Sequence, residues 1–187
     1  MTDAQRVRQQ MLLRHASGYI ELGEILIEAD AAVPASAARL LRRALATLEE
    51  LPEAARNDAV ARLLEGEALR ALGRWQEALV PLGRVVEEDA SRVEAWLGIG
   101  WCLKRLGRLT EAIEGLRRGL ETAPEKAILH YNLACYLSLA RDAATATEHL
   151  ARAISLDDRY RDLSGDERDF DPIRDDPRFL AATHLAV

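Results

Sequence analysis

The residues of this chain with the means to do chemistry are four histidines, two cysteines and an acidic run near the carboxy terminus. His15, His130, His149 and His184 form no H-E-x-x-H pattern, and no other pair has ligand spacing for zinc. Cys102 and Cys135 lie 33 residues apart, without a C-x-x-C pair, and read as buried free thiols of a reducing compartment. The run from Asp166 to Asp176 lacks the D-x-[DN]-x-[DN]-G order and the closing glutamate of a calcium loop, so it reads as a solvated acidic surface. Neither a phosphate-binding loop nor a nucleophile elbow occurs. The expectation is a protein with no catalytic residue, metal or cofactor. The competing reading is a small enzyme or metal protein using His130, Cys135 and the acidic tail.

The elements that would position any site come from a repeat. Residues 59–92, 93–126 and 127–160 align without a gap at a period of 34. Gly66, Gly100 and Ala134 fall in register, as do Leu69, Leu103 and Leu137, then Ala78, Ala112 and Ala146, then Leu82, Leu116 and Leu150. A fixed period of this length marks stacked supersecondary units. Residues 16–51 echo the same pattern with about two extra residues between the two apolar stretches: Tyr19, Leu22, Gly23 and Leu26 match Trp96, Ile99, Gly100 and Leu103. Gly73 and Gly107 sit where one helix should end and the next begin, as glycine favours the left-handed cap conformation. Arg141 holds the third such place, which predicts a differently built turn.

Composition agrees with an all-helical chain. Nearly half of the 187 residues are hydrophobic, while aromatics make up only 5%. A net charge of −6 disfavours nucleic acid and anionic membranes as partners. The first eighteen residues are too polar for a signal peptide, and no stretch has the roughly 18 apolar residues of a spanning helix. A cytoplasmic protein is expected. Beyond Tyr160 the register fails, and Phe170, Ile173, Phe179 and Leu180 are spaced to cover the exposed side of the last repeat.

The 34-residue units resemble the tetratricopeptide repeat. Residues 93–126 match best, with Trp96, Ile99, Gly100, Leu103, Gly107, Leu109, Ala112, Leu116 and Pro124. Residues 59–92 depart from the family at Arg62, Glu65 and Ala90. The tail sequence DFDPIRDDPRF is similar to endings of bacterial members. The resemblance implies an all-α, right-handed α-solenoid of antiparallel helix pairs with about nine to ten helices. It would form a single domain over 1–187: a helical extension at 1–15, a degenerate repeat at 16–51, repeats at 59–92, 93–126 and 127–160, and a cap at 161–187.

In such an array the first helix of each pair lines a concave groove. Helical periodicity places Leu63, Glu67 and Arg70 there, then Leu97, Trp101, Lys104 and Arg105, then Tyr131, Asn132 and Cys135. This surface is apolar in the middle and charged at its edges, which suits a peptide or protein segment with hydrophobic anchors. Trp101 is the sharpest residue, since the fold does not require tryptophan there and binding hot spots are enriched in it. Its competing role is packing beneath the amino-terminal helix or the tail. The family members that clamp a terminal carboxylate use clustered lysine, asparagine and arginine. Here only Asn132 stands at such a site, beside Leu63, Glu67, Gly98 and Ile128, so that subtype is excluded. The expected function is a scaffold for a protein or peptide partner, with self-association as a further reading.

Overall fold

The computed structural model describes residues 2–28 and 31–183. Among them are eleven α-helices and one 3-10 helix, and no strand. The fold class is an all-α array of antiparallel helix pairs. The helices beyond the nine to ten expected are short ones, too brief for a hydrophobic period to register. The chain divides into two compact units, Met1–Asp89 and Ala90–Val187.

The first unit contains α1 (Asp3–Ile25), α2 (Ala35–Glu49), α3 (Glu53–Arg56), α4 (Ala59–Ala71) and α5 (Trp75–Glu88). A reciprocal capping box starts α1: the Thr2 hydroxyl accepts from the Gln5 amide at 3.3 Å, and the Thr2 amide donates to the Gln5 side chain at 2.8 Å. The helix runs unbroken through Gly18. It buries Leu12, Ala16, Ile20 and Gly23, while Val7, Met11, Leu22 and Ile25 lie exposed. Helix α2 packs on α1, α5 packs on α4, and α4 also touches α1 and α2.

One contact recurs where the helices of a pair cross: a small residue of the first helix faces a leucine of the second. A Cβ placed on Gly23 would lie 3.0 Å from the Leu41 side chain, and one on Gly66 would lie 2.5 Å from Leu82 Cγ. In the second unit the corresponding distance from Gly100 to Leu116 is 3.3 Å. Leu41, Leu82, Leu116 and Leu150 are all fully buried. The Gly23–Leu41 pair is spaced two residues wider than the others, which accounts for the insertion seen in the sequence.

The second unit contains α6 (Val93–Arg105), α7 (Leu109–Thr122), α8 (Ala127–Leu139), α9 (Ala143–Leu156), α10 (Arg159–Asp166), a 3-10 helix (Arg168–Ile173) and α11 (Pro177–Thr183). Helices α6 and α7 form one pair, α8 and α9 the next, with α8 packed against α7. Trp96 is buried, its indole N–H donating to the Ala90 carbonyl at 2.9 Å. The 3-10 helix lies on α8, and α11 lies on α9. Phe170, Ile173 and Phe179 are buried in this covering, whereas Leu180 is exposed.

The turn at Arg141 is not built differently, contrary to the sequence-based expectation. Arg141 has φ 61°, close to the 76° of Gly73 and the 74° of Gly107. All three turns carry the same bonds. Arg74 N donates to Leu69 O at 2.9 Å, Arg108 N to Leu103 O at 2.9 Å, and Asp142 N to Leu137 O at 3.0 Å. These are Schellman caps, and the hydrogen bonds hold the third one closed against the steric penalty of an L side chain. That penalty is about 1–2 kcal/mol. Part of any gain from removing it is offset by the greater freedom of glycine in the unfolded chain. Arg141→Gly is therefore expected to stabilise the second unit by roughly 0.5–1 kcal/mol. A shift of the urea midpoint to higher denaturant checks this.

Candidate protein-interaction site

The predicted groove residues fall into three environments. On α6, Leu97, Trp101 and Arg105 recur one turn apart, so they share a face. Leu97 is half-buried, Arg105 exposed, and Trp101 is 39% exposed, although Ile99, Cys102 and Leu103 beside it are buried. Lys104 leans over this face, its Nζ 5.0 Å from the Trp101 ring centre and 5.3 Å from that of Tyr136. Such cation–π placement holds an aromatic plane in one orientation.

Lys104 is itself held. Its Nζ donates to Asp169 Oδ2 at 2.6 Å, and each of the two side chains is only 19% exposed. Asp169 belongs to the 3-10 helix and lies 65 residues from Lys104, so no local spacing in the sequence links them. Its place in the acidic run concealed it.

The α8 residues are covered. Tyr131 and Cys135 are buried, with the Phe170 ring edge-on to Tyr131 at 5.8 Å and the Tyr160 ring at 4.7 Å. Burial pushes the Tyr131 phenol and the Cys135 thiol well above their ordinary pKa values, with Glu167 and Asp169 adding to the shift. Cys135 is thus a neutral thiol, which is a poor nucleophile and a poor metal ligand. Asn132 is half-buried and turns its amide to the Ile128 carbonyl of its own helix at 2.9 Å.

In the first unit Leu63 is half-buried, and Glu67 and Arg70 belong to an ion cluster. Arg70 donates through Nε to Glu67 at 2.9 Å and through Nη2 to Glu67 and Glu24 at 2.5 Å each. The two carboxylates raise the Arg70 pKa against the opposing effect of burial. On the other side of α4 is a cleft of about 780 Å³, lined among others by Leu45, Arg62, Glu65, Leu69, Val80 and Arg84. Burial raises the Glu65 carboxyl above the ordinary range. The residues that line this cleft include none of the predicted groove residues of α4.

Three of the four histidines lie among the described residues. Among the described residues no group of three or more His, Cys, Asp or Glu side chains is placed to hold an ion. His15 is exposed on α1, and His184 lies outside the described residues. His130 and His149 face each other through Nδ1 at 2.8 Å, and His130 Nε2 meets the Pro124 carbonyl at 3.0 Å. A carbonyl only accepts, so Nε2 of His130 carries its proton, and His130 Nδ1 accepts from His149 Nδ1. Burial lowers the His149 pKa below 6.5, and the neighbouring His130 and Arg117 lower it further. The unfolded chain therefore binds a proton at this residue that the folded chain refuses. Stability is expected to fall as pH drops below 6.5 toward the folded-state pKa, and to level off below it. Thermal melts of wild type and His149→Gln from pH 7.5 to 5 check this: the variant should lose less stability over that range.

No helix among the described residues is long and apolar enough to cross a membrane. The tetratricopeptide repeat family model matches residues 69–134, which span the end of α4, all of α5, the α6–α7 pair and the first half of α8. That stretch carries tetratricopeptide repeats. No curated protein matches its sequence. Among solved structures, this helical array is similar to MamA residues 41–end from Desulfovibrio magneticus RS-1, at 21% identity and a TM-score of 0.61, covering 90% of this chain and 89% of that one. A second MamA crystal structure gives 17% identity and a TM-score of 0.59, covering 96% and 97%. A MamA double mutant gives 18% identity and a TM-score of 0.59, covering 89% and 99%. At these identities the likeness is one of fold.

Proposed function

We propose that this tetratricopeptide protein is a non-catalytic scaffold that receives a segment of another protein along the exposed face of α6. The observation that supports it is the exposed Trp101 ring, steadied by Lys104 on a helix whose neighbouring apolar residues are buried. Leu97 and Trp101 would supply the apolar anchor, with the Arg105 and Lys104 charges at its edge. In the first unit, Leu63 and the Glu67–Arg70–Glu24 cluster are a separate candidate contact. Tyr131 and Cys135 would support the covered surface of α8 rather than touch the partner. Two free, buried thiols suit a reducing compartment, which favours the cytoplasm.

An enzyme or metal protein built on His130 and Cys135 is disfavoured by geometry. The two residues are five apart on α8 and so point in different directions; His130 faces His149, and Cys135 is buried. Trp101→Ala is expected to lose a discrete set of proteins in affinity capture, at about tenfold or greater reduction. An Arg117→Ala control on α7 should retain them. An unchanged set with Trp101→Ala would overturn the assignment of the face.

A further inference from the structure

Five of the eleven large apolar side chains that are exposed among the described residues lie on or just after α1. Val7, Met11, Leu22, Ile25 and Leu26 recur at helical spacing along the side opposite to Leu12, Ala16 and Ile20. Val7 is 63% exposed and Ile25 79% exposed. A helix with an apolar stripe on its outer side as well as its inner one leaves the outer stripe for a second surface.

The charges on α1 divide along its length. Arg6, Arg8, Arg14 and His15 lie in the first half with Asp3; Glu21, Glu24 and Glu28 lie in the second. Arg6 is held by Asp3 and Glu24 by Arg70. Arg8 and Arg14 remain at one end of the stripe, Glu21 and Glu28 at the other. Glu21 takes a hydrogen bond from Ser17 at 2.8 Å, which leaves its charge in place.

Turned end over end, this surface fits itself. We propose that the outer stripe of α1 pairs antiparallel with the same stripe of a second copy of this chain. Parallel pairing would set like charges side by side, whereas antiparallel pairing sets the basic half of each helix on the acidic half of the other. The pairing closes as a two-fold, since the same patch serves both copies. Val7 would lie across from Leu26 of the second copy and Met11 across from Leu22 of the second copy. Arg14 would then reach Glu21 of the second copy. Gly18 falls near the pivot, where a Cβ would have nothing within 4 Å, so the two helices can approach closely. Nothing in this pairing involves Trp101.

Sedimentation velocity of the full chain tests it. Wild type is expected to be a dimer, and Leu22→Glu a monomer with unchanged circular dichroism, because the Leu22 side chain is 56% exposed. Arg14→Glu should weaken the dimer about tenfold, and Arg14→Glu with Glu21→Arg should restore it. Trp101→Ala should remain dimeric, so loss of this pairing and loss of the α6 site are separately visible. A monomeric wild type across the concentrations measured would overturn the proposal, whatever else the stripe then binds. So would a dimer that survives Leu22→Glu, one that Trp101→Ala abolishes, or a Met11→Cys variant that cross-links to itself, which would mean parallel helices.

Discussion

Phe170→Ala is expected to destabilise the carboxy-terminal unit by about 3–5 kcal/mol, the range for truncating a fully buried phenylalanine. Phe170 has no exposed surface, and its ring lies 5.3 Å from Phe179 and 5.8 Å from Tyr131. Few of the lost contacts can be recovered by collapse, because aromatic rings from two other elements define the space. Helix α8 carries mostly apolar residues around its whole circumference, so one side must be covered by something other than α7 and α9. The 3-10 helix supplies that cover, with Lys104 and Asp169 as a latch. Urea unfolding followed by circular dichroism measures the loss. Cys135 gives a second readout: its reaction with a thiol reagent should accelerate as the cover loosens. A loss below about 1 kcal/mol with Cys135 still protected would mean that the tail only grazes α8.

Gly66→Ala should destabilise the amino-terminal unit by about 1–3 kcal/mol, as overpacking does in a close-packed interior. The added methyl would meet Leu82 Cγ at 2.5 Å, nearer than atoms in contact can lie, and Leu82 is itself fully buried. The clash is specific, so it can be relieved. Adding Leu82→Ala to Gly66→Ala should be less damaging than the two single losses summed, by more than the roughly 0.5 kcal/mol scatter of independent sites. Gly83→Ala on α5 provides the contrast, since a Cβ there would have nothing within 4 Å and alanine is the better helix former. If Gly66→Ala and Gly83→Ala melted alike, the helix crossing would not be at Gly66.

Helix pairing was legible because it is written in small residues and leucines at a fixed spacing. Gly66 with Leu82 and Gly100 with Leu116 recur one period apart, and Gly23 with Leu41 repeats the pattern two residues wider. Arg141 was misread because residue type stood in for backbone: the bonds from Asp142 to Leu137 close the turn whether or not glycine is present. The α6 face could be projected from periodicity, since Leu97, Trp101 and Arg105 share one helix. The spacing of Phe170, Ile173 and Phe179 pointed to a cover, but the burial of Tyr131 and Cys135 beneath it could not be projected, because it depends on where a 3-10 helix of six residues folds back. Lys104 with Asp169 and His130 with His149 escaped for the same reason, each joining separate helices that no local pattern connects. On α1 the exposed and buried apolar residues intermingle in sequence, and only the fold separates the two faces.

Site-specific photo-cross-linking tests the scaffold account most directly. A photoreactive amino acid placed at Leu97, one turn before Trp101 on the exposed face of α6, should cross-link to the proteins that Trp101→Ala fails to capture. The same group at Arg117, on the outer side of α7, should not. Cross-links that are equal at both positions, or absent from position 97 while captured proteins remain bound, would contradict it.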